Sequence, residues 1–181
     1  MGDIRQPTPV LLITSAFSRH GAALEWAAQR TMQGWGPIAL VSPQFDFVET
    51  DYYEPTMGPG LKKIFFAYEN LLAPGDLPRI KIEANLWEID YARATDHSEE
   101  RPLNLDPGYI TPAKVVLAST KDHSHRLYLS DGIYGEVTLK FSQGMWRERD
   151  WTFPDYRRED YHAFFTECRQ YLRERQREGP E

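Results

Sequence analysis

The spacing of apolar residues changes period several times along this chain, and each change marks an element. Residues 10–17 (VLLITSAF) form a continuous apolar run of strand length, rich in branched side chains, and read as a buried first strand. After Ser18 and Gly21, the residues Leu24, Ala27, Ala28 and Thr31 fall at helical steps, and Gly34, Gly36 and Pro37 stop the helix. Residues 38–41 return as a second strand. The aromatic stretch 45–53 (FDFVETDYY) continues extended to a turn at 57–60 (MGPG), which predicts a hairpin. Between 61 and 72 the apolar positions fit both periods. The turn that precedes them decides for a returning antiparallel strand.

Leu77, Ile80, Ala84, Trp87 and Tyr91 recur at steps of three or four and predict a second amphipathic helix, with Lys81, Asn85 and Glu88 on its opposite face. The polar run 94–102 (ATDHSEERP) reads as a surface loop. From Asn104 onward the pattern is that of strands: a turn at 106–109 (DPGY), then KVVLAST, HRLYL, a turn at 130–132 (SDG) and IYGEVTLKF. Leu127 and Leu129 alternate with Arg126 and Tyr128. Val137, Leu139 and Phe141 alternate with Glu136, Thr138 and Lys140, so two half-buried hairpin strands are expected, one face core and the other free for chemistry. Gln143 and Gly144 turn the chain toward Trp146 and Trp151. Pro154 and Asp155 start a last helix, whose stripe is Tyr161, Phe164, Phe165, Cys168, Tyr171 and Leu172.

Strand, helix, strand, strand, helix, strand is the order of a ferredoxin-like βαββαβ unit. The fold class expected is therefore α+β, with that unit extended by an antiparallel β-meander and a C-terminal helix. No crossover helices are apparent in the second half, which argues against an alternating parallel fold. A length of 181 residues fits one domain over 1–181, with 1–9 and 174–181 as flexible ends.

Composition narrows the function classes. A 41% hydrophobic and 13% aromatic content is that of an ordinary globular chain. With 27 acidic and 21 basic residues the net charge is −6, which disfavours nucleic acid; RNA binding on a ferredoxin-like sheet would need basic flanks. The single cysteine, Cys168, rules out an internal disulfide framework and a multi-cysteine metal site, and fits a reducing compartment. No apolar signal core or spanning segment is visible, so a cytoplasmic chain with no membrane partner is expected. No phosphate loop, dinucleotide fingerprint or nucleophile elbow occurs.

Chemistry concentrates in residues 114–138. Lys114, Lys121 and Arg126 could hold a phosphate or carboxylate while Tyr128 and Tyr134 pack on a planar ligand. His125, oriented by Asp122 or Glu136, suits proton transfer near neutral pH. His123 and His125 are two apart, so on a strand both would face one side and could ligate a metal with Asp131 or Glu136. Each grouping has a plainer reading: loop histidines in solvent, surface ion pairs, and Asp106 and Asp131 as turn residues before Pro or Gly.

The runs TDYY with Met57 and Gly58, NLDPGYIT, KVVLASTKD, SHRLYLSDGIYGEVTL and WTFPDYR resemble an uncharacterised prokaryotic family, domain of unknown function 4416, over nearly the whole chain. The resemblance brings no activity and no cofactor. It implies a pattern that takes in Asp106, Tyr109, Lys121, Asp122, His125, Arg126, Tyr128, Asp131, Gly132, Tyr134, Glu136 and Asp155, but not His123. The expectation is a small-ligand-binding or hydrolase-like protein for an anionic, phosphate-bearing molecule. Catalytic candidates are His125, Asp122 and Glu136; binding candidates are Lys114, Lys121, Arg126, Tyr128, Asp131, Tyr134 and Tyr109; no metal ligands are assigned. Two alternatives fit the same residues: a protein-interaction module, and a divalent-metal enzyme using His125 and nearby carboxylates.

Overall fold

The computed structural model describes residues 2–178. The elements run β1 (Val10–Ser18), α1 (Gly21–Trp35), β2 (Ile38–Val41), β3 (Phe45–Asp46), α2 (Glu54–Met57), β4 (Lys62–Leu72), α3 (Leu77–Ala94), β5 (Asn104–Ile110), β6 (Lys114–Ser119), β7 (Leu127–Ser130), β8 (Ile133–Ser142), β9 (Met145–Glu148) and α4 (Glu159–Glu178). Every residue of β1 is buried, because helices cover both faces of the sheet there. Leu12 and Ala16 look toward Leu24 and Ala27 of α1 and Ile80, Ala84 and Trp87 of α3. Leu11 and Ile13 look the other way, toward Phe164, Phe165, Cys168 and Leu172 of α4. That double cover is why the strand reads as an unbroken apolar run rather than an alternating one.

The fold is α+β. One sheet of nine strands has the order β2-β4-β1-β5-β6-β8-β7, with β3 on β4 and β9 on β8. All its pairings are antiparallel. The ambiguous segment 61–72 is strand β4, as the preceding turn predicts, and it occupies the sheet interior between β1 and β2. Among the described residues no helix is long and apolar enough to cross a membrane.

Several expectations need correction. Residues 106–109 (DPGY) are not a turn: they lie inside β5, paired with β1 from Asn104 opposite Phe17 to Ile110 opposite Leu11. The stretch 45–53 is extended only in the two residues of β3. Phe47 then tucks against Phe17, Met57 and Leu61, and the chain leaves the sheet for α2. Strand β7 is not half-buried, since it is the sheet edge and Leu127, Tyr128 and Leu129 are all exposed. In β8 the polar positions Glu136 and Thr138 are buried along with Leu139. On α3 the polar side is not the solvent side: Lys81 is 6% exposed, while Ile82, Leu86 and Ile89 face outward. Pro154–Arg157 is a separate 3₁₀ turn before α4. Of the ends expected to be flexible, residues 174–178 continue α4, and Met1 and 179–181 lie outside the described residues.

Candidate functional site

The sheet opens at one place. β5 and β6 share only three registered pairs, ending at Gly108 opposite Leu117, so residues 104–107 have no partner on the β6 side. Gly108 allows the closest approach at the point of parting: a Cβ there would lie 2.3 Å from the Val116 carbonyl oxygen and 2.7 Å from a Leu117 methyl carbon. Beyond it the strands frame a cavity of about 460 Å³, with Asn104 and Asp106 on one lip and Leu117, Ala118 and Ser119 on the other. Lys81 and Glu88 of α3 reach it from one side of the sheet, and the 47–53 loop and Phe153–Tyr156 wall it from the other.

The near wall is a lattice of buried and half-buried charge. Nζ of Lys81 donates to the Leu105 carbonyl at 2.9 Å and to Oδ1 of Asp106 at 3.1 Å. Asn104 donates to Oδ2 of the same aspartate at 2.9 Å. Burial pushes the Asp106 carboxyl up, but the ammonium groups of Lys81 and Lys63 outweigh it and hold Asp106 below the usual aspartate range. Glu88 accepts from the Leu105 amide at 2.7 Å and from Arg101 at 3.3 Å. For Glu88 burial prevails, and its pKa is raised. Lys63, 3% exposed, donates to Oδ2 of Asp155 at 2.6 Å. Its ammonium sits over the rings of Phe47 at 4.7 Å, Tyr156 at 4.9 Å and Phe17 at 5.1 Å, which favours the cation at this nearly buried position.

The far wall comes from the 114–138 segment. Glu136 of β8, 2% exposed, accepts from Nε of Arg126 at 2.8 Å, lies 3.2 Å from Nε2 of His125, and takes the Thr138 hydroxyl on its other oxygen at 2.9 Å. Arg126 also donates to Ser119 Oγ at 2.7 Å and to the Lys121 carbonyl at 3.0 Å. His125 is stacked between His123 and Trp151. At the mouth, Nζ of Lys121 donates to the Tyr52 hydroxyl at 2.8 Å; this hydrogen bond, with the lysine charge, lowers the Tyr52 pKa. Thr152 donates to the Thr138 carbonyl at 2.6 Å and so anchors the turn that brings Asp155 and Tyr156 over the cavity.

The wall holds five cations, Lys63, Lys81, Arg101, Lys121 and Arg126, and five carboxylates, Glu49, Glu88, Asp106, Glu136 and Asp155. Four of the carboxylates pair with wall cations. Glu49 pairs with Arg158 at 2.8 Å, a guanidinium that it shares with Asp160 at 2.6 Å. Among the described residues, Lys121 is then the wall cation without a carboxylate partner. Among the described residues, Lys63 has one hydrogen-bond acceptor and Lys81 two, against three N–H donors on each ammonium.

Of the residues expected from sequence, Lys121, Arg126 and Glu136 line the cavity, and His125 stands behind Glu136. His123 lines it too. Asp122 is exposed beside it. The others lie elsewhere. Lys114 is at the opposite end of β6, opposite Lys140. Tyr128 and Tyr134 pack on each other at the β7 edge. Asp131, at φ 53°, forms the β7–β8 turn with Gly132 at φ 78°. Tyr109 packs beneath the sheet against the α3 side. Asp106, read from sequence as a turn residue, proves to be a central member of the site. Lys63, Lys81, Glu88, Arg101 and Asp155 were not singled out as site residues. The sequence signal of Lys63, Lys81 and Glu88 is charge placed inside an apolar strand or between apolar helix positions; Arg101 lies in a polar loop, and Asp155 enters only through the family pattern.

Among curated proteins and among solved structures, none matches this chain. A family match spans residues 8–171, which takes in all nine strands and every wall of the cavity. By that span the chain belongs to the family described as "Domain of unknown function (DUF4416)".

Proposed function

We propose that the chain binds a small anionic molecule, bearing a phosphate or carboxylate group, in the cavity between β5 and β6. The observation that carries this reading is the surplus of ammonium donors. Lys63 and Lys81 line the cavity, and among the described residues their ammonium groups have fewer acceptors than N–H donors, while the Nζ of Lys121 has the Tyr52 phenol as its hydrogen-bond acceptor. An anion meeting these donors forms charge-assisted hydrogen bonds in a site of low dielectric. Tyr52, Tyr53 and Phe153 offer apolar surface to the remainder of the molecule. The order β2-β4-β1-β5 supports reading the first half as a ferredoxin-like βαββαβ unit, with β6–β9 and α4 added to it. Helices cover both faces of its central strands, which favours a small ligand over RNA stacked on the sheet.

A hydrolase-like reading has one specific support, the contact of His125 with Glu136 at 3.2 Å on the cavity wall. In that reading the imidazole passes a proton through the carboxylate that faces the ligand, with Arg126 holding the carboxylate in place.

The test is a thermal-shift screen of metal-free protein with inorganic phosphate, nucleotides, sugar phosphates and small carboxylates. A ligand at 100 times its Kd adds about 2.7 kcal/mol and raises the midpoint of a chain this size by roughly 5 to 10 °C. If no compound raises the midpoint, the anion-binding reading is wrong.

A further inference from the structure

Outside the cavity, a second group of side chains gathers where β1 leaves the sheet. His20 precedes α1 at its N-cap position, yet its side chain makes no cap hydrogen bond to the helix, although that position favours Ser, Thr, Asp or Asn. The ring turns instead to the loop after α3. There it stacks on His97, with centroids 3.9 Å apart and planes 20° apart, and its Nε2 lies 3.0 Å from Oε2 of Glu99. One potential ligand atom from each of His20, His97 and Glu99 lies within 4.8 Å of the other two.

We propose that His20, His97 and Glu99 bind one divalent transition-metal ion of the zinc class, with a further coordination position open to water. Two imidazoles and one carboxylate are a donor set that zinc takes at about 2.0 to 2.2 Å, with a fourth site for solvent. From their present spacing, within 4.8 Å of one another, the three ligand atoms would have to draw together by side-chain adjustment to reach these distances. Neighbouring groups orient the ligands. Arg19 donates to Oε1 of Glu99 at 3.0 Å, which directs Oε2 toward the imidazoles. The Tyr91 hydroxyl lies 3.1 Å from Nε2 of His97, and by accepting from an Nε2–H it leaves Nδ1 as an electron-pair donor. The backbone is held in advance: Ser18 Oγ accepts from the His20 amide at 3.0 Å and donates to the Pro102 carbonyl, and the Arg101 amide donates to the Thr56 carbonyl at 3.0 Å. A site whose two loops are fixed before the ion arrives loses less entropy on binding.

The experiment uses the full chain, stripped of metal with a chelator, then titrated with Co²⁺ by visible absorption and with Zn²⁺ by calorimetry. One equivalent should bind. His97→Ala and Glu99→Gln should each weaken binding by more than about 100-fold, and Tyr91→Phe by about 10- to 100-fold. His20→Asn, which supplies a favourable helix cap while removing a ligand, should also abolish it and covers the case of a loop variant that fails to fold. His125→Ala should leave it unchanged. The proposal is overturned by an empty titration, by binding that survives His97→Ala and Glu99→Gln, or by binding that is lost with His125→Ala. The anion screen is done without metal, so its failure leaves this result standing, and the reverse.

Discussion

The ammonium of Lys63 and the carboxylate of Asp155 meet at 2.6 Å, with side chains 4% and 6% exposed, and join the middle of the sheet to the turn before α4. A buried pair of this kind adds little net stability over apolar residues of the same shape, yet loses much when one partner goes. Asp155→Ala is expected to lower the unfolding free energy by about 3 to 5 kcal/mol. Lys63→Met combined with Asp155→Leu should recover most of that loss and still fail to respond to phosphate. Urea unfolding of the three proteins reads both outcomes. Equal losses in the single and double variants would mean that the pair stabilises as a pair, against this account.

Gly108 marks where the sheet parts. Gly108→Ala drives a methyl group into the Val116 carbonyl, a backbone atom that cannot yield without breaking the β5–β6 ladder. A loss of about 2 kcal/mol or more is expected, at the upper end of overpacking effects. Gly75→Ala, with open space around the new methyl, should stay within about 0.5 kcal/mol of the parent. Chemical denaturation of the two variants side by side checks this.

Two carboxylates of the near wall should respond to acid in opposite senses. Asp106 is held below its usual 3.8. Its stabilising contribution is therefore complete above that value and fades as pH falls toward the lower native one. Glu88 is raised above 4.5, so the folded state holds this proton more tightly than the unfolded state does. That contribution is present below 4.5 and fades as pH rises through the native value. Asp106→Asn should flatten the loss of stability in acid. Glu88→Gln should remove the part of stability that declines toward neutral pH, while keeping an acceptor for the Leu105 amide. Urea midpoints across the acid range, compared with the parent, give the sign of each change.

Lys121 and Tyr52 provide a local probe of the cavity mouth. The phenol of Tyr52 should ionise below the ordinary tyrosine range, because Lys121 donates to it, and Lys121→Ala should return it to that range. Ultraviolet titration reads the shift. Both residues are exposed, so the thermal midpoint of Lys121→Ala without ligand should match the parent, while its response to phosphate should shrink. An undiminished phosphate response would remove Lys121 from the site.

His125→Ala removes one contact of Glu136 but leaves those from Arg126 and Thr138. A cost near 1 kcal/mol is expected. In a phosphatase assay, a variant that still turned over like the parent would exclude His125 from proton transfer.

Elements with one clear period were legible in the sequence: β1, α1, α3 and the stripe of α4 stand where the spacing puts them. Pro107 and Gly108 misled, because the pair that usually marks a turn here lets two strands touch and then part. Arg126 and Glu136 could be found because neighbouring hairpin strands bring them together. Lys63 and Lys81 could not, since a lysine within a strand or on the polar side of a helix looks solvated until distant segments close over it. His20 and His97 are likewise far apart in sequence, and no local spacing connects them.

The gap between β5 and β6 is bordered by pieces scattered over residues 47–156, from the loop after β3 to the turn before α4. No fragment that ends before Asp155 or begins after Phe47 can assemble a complete enclosure. Binding capacity should therefore appear all at once, late in folding, and should vanish on truncation at either side while much local secondary structure survives.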